Sequence, residues 1–219
     1  MEKRLKMAIA MLFTALFGAS IALVKLVDVQ PIGPAGTEVG MATVNRSVFN
    51  LLQHLVGSGE LFDKISDLAV LAAFAVAGSF ALVGLIQLIR RKSLFKIDRE
   101  IWGLGIAYLL AGIVSIAFEL YVVNYRPILE DGAAFPEASF PSSHTVLAFV
   151  VFATAFIAWG RLLEKRVAIA RLLQTVALLA LIVAVASRLL AGVHWVTDIA
   201  AGCVDRLAIP FFYSALVTE

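Results

Sequence analysis

Six stretches of this chain are long and apolar enough, or nearly so, to cross a lipid bilayer: residues 7–27, 65–89, 101–123, 144–160, 167–187 and 193–217. About 20 mostly apolar residues are needed to cross ~30 Å of hydrocarbon as a helix. No water is available there to satisfy backbone amides and carbonyls, so an all-α fold of six transmembrane helices in one domain is expected. The fourth stretch is short, and the sixth carries Asp198, Asp205 and Arg206. Composition agrees with the spans: 61% of residues are hydrophobic and 16% charged, against about 45–50% and about 25% in soluble domains. A disulfide framework is excluded by the single Cys203. The net charge of +2 gives no reason to expect a nucleic-acid partner.

The basic residues predict the orientation. Lys3, Arg4 and Lys6 precede the first span; Arg90, Arg91, Lys92, Lys96 and Arg99 lie between the second and third; Arg161, Lys165, Arg166 and Arg171 surround the turn between the fourth and fifth. With six spans, these twelve of the eighteen basic residues share one side, which makes that side cytoplasmic and places both termini there. The first span is preceded by positive charge as a signal peptide is. Its apolar run is longer than a signal core of about 7–15 residues and no small-residue cleavage site follows, so it reads as an uncleaved anchor in a cell (cytoplasmic or inner) membrane. On the outer side lie two long connections. Residues 28–64 contain a Gly/Pro-rich turn at 31–36 and an amphipathic segment at 44–55 suited to the interface. Residues 124–143 form the second.

Ionisable groups in or at the rim of a membrane are costly, so they form the list of candidate site residues. Glu119, Arg126, His144, Arg188, His194 and Asp198 all fall at the outer ends of spans three to six. His194 and Asp198 are four apart, a spacing that on a helix lets a carboxylate reach an imidazole nitrogen and leaves the other nitrogen free to attack an electrophile. A pair at a helix start that only helps topology is the alternative. Ser142 or Ser143 reads as an N-cap, and the amides of the helix start behind it form an anion site with His144 at its mouth, placed to protonate a leaving oxygen. A plainly capped helix with a surface histidine is the alternative there. Arg126, followed by Pro127, and Arg188, with Gly192 beyond it to allow a bend, present planar charged forks that match phosphate oxygens. Singly, each would serve as an interfacial anchor. No metal-ligand constellation and no Gly-rich nucleotide loop accompanies them. Together the set suits phosphoryl transfer through a histidine.

Arg126 with Pro127, then Pro141, Ser142, Ser143 and His144, then Ser187, Arg188, His194 and Asp198 resemble the three-part signature of the type 2 phosphatidic acid phosphatase superfamily. The resemblance spans roughly residues 119–202 and implies a helical bundle of the family's membrane branch. It implies a metal-independent lipid phosphate phosphatase without a cofactor, with His194 as nucleophile activated by Asp198 and His144 as general acid. Arg126, Arg188, Ser142 and the Ser143 amide would hold the phosphoryl oxygens. The substrate would be of the phosphatidic acid, phosphatidylglycerol phosphate or undecaprenyl diphosphate class, reached from the surrounding membrane lipids on the outer face. Two signature positions depart from the family pattern: Glu119 stands where relatives carry Lys, and Ser143 where they usually carry Gly. Continued as a helix, the seven-residue step from Glu119 to Arg126 places Glu119 on nearly the same face, ~10 Å deeper. That predicts that it pairs with Arg126 or Arg188 in a less positive phosphate pocket. Two other activities fit the same residues: transfer of the phosphoryl group to an acceptor other than water, and binding or transport of lipid phosphates with hydrolysis weakened by Glu119.

Overall fold

The structure is a computed structural model and describes residues 2–129 and 132–218. Among the described residues seven α-helices follow one another: α1 (Lys3–Leu26), α2 (Ala42–Val56), α3 (Glu60–Arg91), α4 (Arg99–Leu120), α5 (Ser143–Leu162), α6 (Val167–Leu190) and α7 (Val196–Val217). All but α2 are long and apolar enough to cross a membrane. Among the described residues there is no strand, only two isolated bridges, Gln30 with Val39 and Tyr125 with Ala138.

The bundle is built around α5 and α7. α7 packs against α1, α5 and α4, and α5 also packs against α6, α3 and α4. These two central helices are the most enclosed of the six and also the least apolar, which accounts for the short fourth stretch and the charged sixth. A span covered by protein faces little lipid and tolerates polar side chains that a lipid-facing helix does not. Asp205 and Arg206 are both buried within the bundle and approach each other at 2.8 Å. Close helix approach comes from small residues, as expected where lipid removes the hydrophobic driving force: Ala69 and Ala73 of α3 meet Ala148 of α5 and Ala177 and Ala184 of α6 in one cluster.

Three features assemble one end of the bundle. Phe17 of α1, Phe118 of α4 and Phe140 pack as a ring cluster with centroids 5.3 to 6.0 Å apart, holding the segment after α4 against the helices. Arg126 N–H donates to the Glu137 carbonyl at 3.0 Å and Ser139 N–H to Asn124 O at 2.9 Å, so residues 124–126 run antiparallel to 137–139. Gly59, the residue before α3, has φ +69° and lies so close to the end of α6 that a Cβ there would collide with the Ala191 carbonyl. Only glycine adopts that conformation at no steric cost and permits that approach. The start of α3 is thereby fixed beside the turn joining α6 to α7.

Several boundaries differ from the sequence expectation. α3 begins at Glu60, before the expected 65, and carries Asp63 and Asp67 inside the helix. α4 ends at Leu120, before the expected 123 and well short of Pro127. α7 begins at Val196, with Trp195 as its N-cap, so His194 precedes the helix and the expected helical spacing of His194 and Asp198 does not exist. The amphipathic segment at 44–55 does form a helix, α2.

Candidate active site

At the end of the bundle just described, His194 lies in the turn between α6 and α7, whose bend falls at Gly192 with φ +69°. Its ring is 4% exposed. Nδ1 is 3.0 Å from the Ser139 carbonyl and 2.9 Å from Ser139 Oγ. A carbonyl only accepts, so Nδ1 carries the proton and Nε2 carries the lone pair. Nε2 faces Arg188 Nη2 at 3.1 Å, an N–H that can only donate. Burial in the protein, then the charges of Arg188 and Arg126, hold His194 well below the usual imidazole range, against the opposing effect of its hydrogen bond to the Ser139 carbonyl. The resting ring is therefore neutral, with its nucleophilic nitrogen aimed at a guanidinium.

Asp198 reaches His194 through an intermediary. Its Oδ2 accepts from Ser139 Oγ at 2.5 Å and from Trp195 N–H at 3.0 Å, while Oδ1 accepts from Asn124 Nδ2 at 3.2 Å. The direct carboxylate–imidazole contact expected from the sequence is replaced by a relay in which the Ser139 hydroxyl touches both groups. The reason is local: Asp198 is the third residue of α7 and turns back to satisfy one of the unpaired amides at the helix start.

The two arginines are each held by a carboxylate. Arg188, 3% exposed, donates from Nη1 to Asp63 Oδ1 at 2.5 Å. Arg126 Nη2 lies 3.1 Å from Glu137 Oε2. His144 sits in the first turn of α5, with Nε2 3.1 Å from Asp67 Oδ1. Glu119 does not hold either arginine as expected. Because α4 stops at Leu120, Arg126 is not on the same helix, and Glu119 instead forms part of the wall of a shared cavity. Ser142 occupies the N-cap position of α5 but caps no amide through its side chain; its buried Oγ accepts from Thr145 Oγ1 at 3.2 Å. Ser143 lines two of the site's cavities.

Three cavities meet here. One of about 400 Å³ joins Glu119, Arg126, Ser143 and His194. A second, about 540 Å³, joins Arg126, His144 and Arg188 to Asp63 and Asp67. A third, about 560 Å³ and almost wholly apolar, runs between α3, α4 and α5 and ends on Ser143 and His144. The geometry thus offers a neutral imidazole, a guanidinium and a helix start around the first void, and a second imidazole with both guanidinium groups around the adjoining one, Arg126 lining both. Such a void can take a tetrahedral anion. Among the described residues no group of three or more His, Cys, Asp or Glu is arranged to hold a metal ion.

Ser139, Asn124, Asp63, Asp67 and Glu137 belong to this site and are absent from the sequence expectation. Asp63 and Asp67 carried a usable signal, since they are acidic, one turn apart and at the rim of span two, where the same cost argument applies. Ser139, Asn124 and Glu137 carried none, because only the pairing of 124–126 with 137–139 brings them in.

A family model described as PAP2 superfamily matches residues 100–214, which include Arg126, His144, Arg188, His194 and Asp198. Among solved structures the chain is similar to the "first transmembrane PAP2 type phosphatidylglycerolphosphate phosphatase from Bacillus subtilis". The TM-score is 0.58 at 18% identity, covering 94% of this chain and 93% of that one. At that identity the likeness speaks for the fold. No curated protein matches the chain.

Proposed function

The chain belongs to the PAP2 superfamily, and from that membership we propose that it hydrolyses a membrane lipid phosphate or diphosphate through a phosphohistidine on His194, at the outer face of a cell membrane. The observation that carries this reading is the pairing of an unprotonated His194 Nε2 with Arg188 Nη2 at 3.1 Å. A phosphate bound by that arginine has its phosphorus beside the nucleophile. Attack forms the N–P bond as the bond from phosphorus to the leaving oxygen breaks, and His144 gives that oxygen a proton. Water then attacks the phosphohistidine, His144 takes a proton from it, and the electron pair of the breaking N–P bond returns to Nε2. The positive charge that His194 gains on phosphorylation is offset through Ser139 by the buried Asp198 carboxylate.

Arg126, Arg188 and the amides at the start of α5 hold the phosphoryl oxygens without metal or cofactor. A lipid substrate is supported by the apolar cavity, where Leu147, Val151 and the exposed Phe74 lead away from His144. It suits the tail of a phosphatidic acid, phosphatidylglycerol phosphate or undecaprenyl diphosphate. Glu119 in the wall of the phosphate cavity favours one second reading, a protein that binds or transports lipid phosphates and turns them over slowly.

Purified protein should release phosphate from a short-chain lipid phosphate in EDTA, and His194→Ala should abolish both turnover and any phosphoenzyme. His144→Ala should impair poor leaving groups most, so an activated aryl phosphate should rescue it and leave His194→Ala inactive. Tight binding of the lipid phosphate with no release by wild type would favour the second reading.

A further inference from the structure

Asp63 and Asp67 lie on α3, outside the residues that the family model matches. They are four apart on one helix and share a face. Asp63 Oδ1 is 2.5 Å from Arg188 Nη1, and Asp67 Oδ1 is 3.1 Å from His144 Nε2. Arg188 and His144 stand on different helices, α6 and α5, and in the proposed reaction one holds the phosphoryl oxygens while the other protonates the leaving oxygen of the same phosphorus atom. The structure assigns Asp63 and Asp67 as positioning residues: one turn of α3 sets the phosphate-binding arginine and the proton-donating histidine at a fixed separation.

Each contact restricts a group that has other choices. The fork of Arg188 has two terminal nitrogens, and with Nη1 held by Asp63 its Nη2 is the one that faces His194. The His144 side chain, 29% exposed, is at the edge of the cavity, where an imidazole without a partner samples several rotamers. A displacement of about 1 Å in such a group can cost on the order of 10²-fold in rate. The start of α3 is itself held rigidly, by the close contact of Gly59 with Ala191 at the end of α6. Asp63 and Asp67 are 41% and 58% exposed, so folding does not require them to be paired.

The inference rests on the phosphatase reading, and its test separates the two. Asp67→Asn should lower kcat about tenfold on an alkyl lipid phosphate, leave KM nearly unchanged, and have little effect on an activated aryl phosphate. In a His144→Ala background the same substitution should add nothing. Asp63→Asn should lower kcat by a similar factor, while inhibition by inorganic phosphate stays the same or tightens, because Arg188 no longer shares its charge with a carboxylate. A general structural lesion would weaken both. Asp63→Glu and Asp67→Glu should recover part of the loss, and Asp63→Ser and Asp67→Ser replace the Asn variants in the cycle if those do not purify as monodisperse protein. Wild-type turnover with all these variants at wild-type rates overturns this inference alone. So does an Asp67→Asn loss of equal size with and without His144. An inactive wild type overturns the phosphatase reading as well.

Discussion

His194 is kept neutral by burial and by two neighbouring guanidinium groups, and the same surroundings tie its protonation to folding. Its pKa in the folded chain lies below the unfolded value of 6.5. Between the two values the unfolded chain binds the extra proton and the folded chain does not. The stability contributed is therefore complete above about pH 6.5 and is lost progressively as pH falls below it. Thermal melts of the detergent-solubilised protein from pH 7.5 down to 5.5 should show this fall, and His194→Asn, which cannot titrate, should show a flatter one. Parallel curves for the two proteins would mean that His194 accepts a proton as readily folded as unfolded. At this scale the identities of His144, Arg188, His194 and Asp198 as members of one site were legible in the sequence, because ionisable groups at a span end stand out. Their partners were not. A serine in a loop, such as Ser139, has no such cost attached to it, and the link from Asp198 to His194 runs through it.

The elements that carry the site are held together by contacts from outside the signature region. Asn45 of α2 is fully buried, and its side chain accepts the backbone N–H of Thr197 at 3.2 Å while its Nδ2 reaches Thr197 Oγ1 at 2.9 Å. It thus satisfies one of the open amides in the first turn of α7. Trp195, directly after His194, donates its indole N–H to Tyr125 O at 2.7 Å and packs its ring against Phe49 of α2 with centroids 5.5 Å apart. Asn45→Ala leaves a buried amide unpaired, which costs on the order of 1–3 kcal/mol, and loosens the turn that carries His194. The expected outcome is a lower melting temperature together with reduced kcat, and vanadate inhibition should weaken less than kcat falls. An unchanged melting temperature would mean that water replaces Asn45. Amphipathic spacing made α2 legible as a helix, but its docking at the start of α7 rests on Asn45 and Phe49, and two such contacts leave no periodic trace. The starts of α3 and α7 were misplaced for a related reason. Apolar runs mark where hydrocarbon begins, whereas the helix itself extends past that point in α3, to Glu60, and starts beyond it in α7, at Val196.

For the molecule as a whole, the arrangement of charge predicts which side of the membrane the site faces. All the groups of the site lie at the end of the bundle formed by the starts of α3, α5 and α7 and the ends of α4 and α6. The opposite end carries the twelve basic residues at positions 3, 4, 6, 90, 91, 92, 96, 99, 161, 165, 166 and 171. The positive-inside bias counts Lys and Arg in short loops near the span ends, and every one of these qualifies. Site-end basic residues are fewer, and two of them, Arg126 and Arg188, are engaged by Glu137 and Asp63. The loop near Ala133 should therefore be external and the loops near Lys92 and Lys165 cytoplasmic. In a Cys203→Ser background, which removes the single native thiol, a cysteine at Ala133 should react with an impermeant thiol reagent on intact cells. Cysteines at Lys92 and Lys165 should react only after lysis. The reverse pattern, with expression confirmed, would place the site on the cytoplasmic side and make its substrate a lipid phosphate of the inner leaflet.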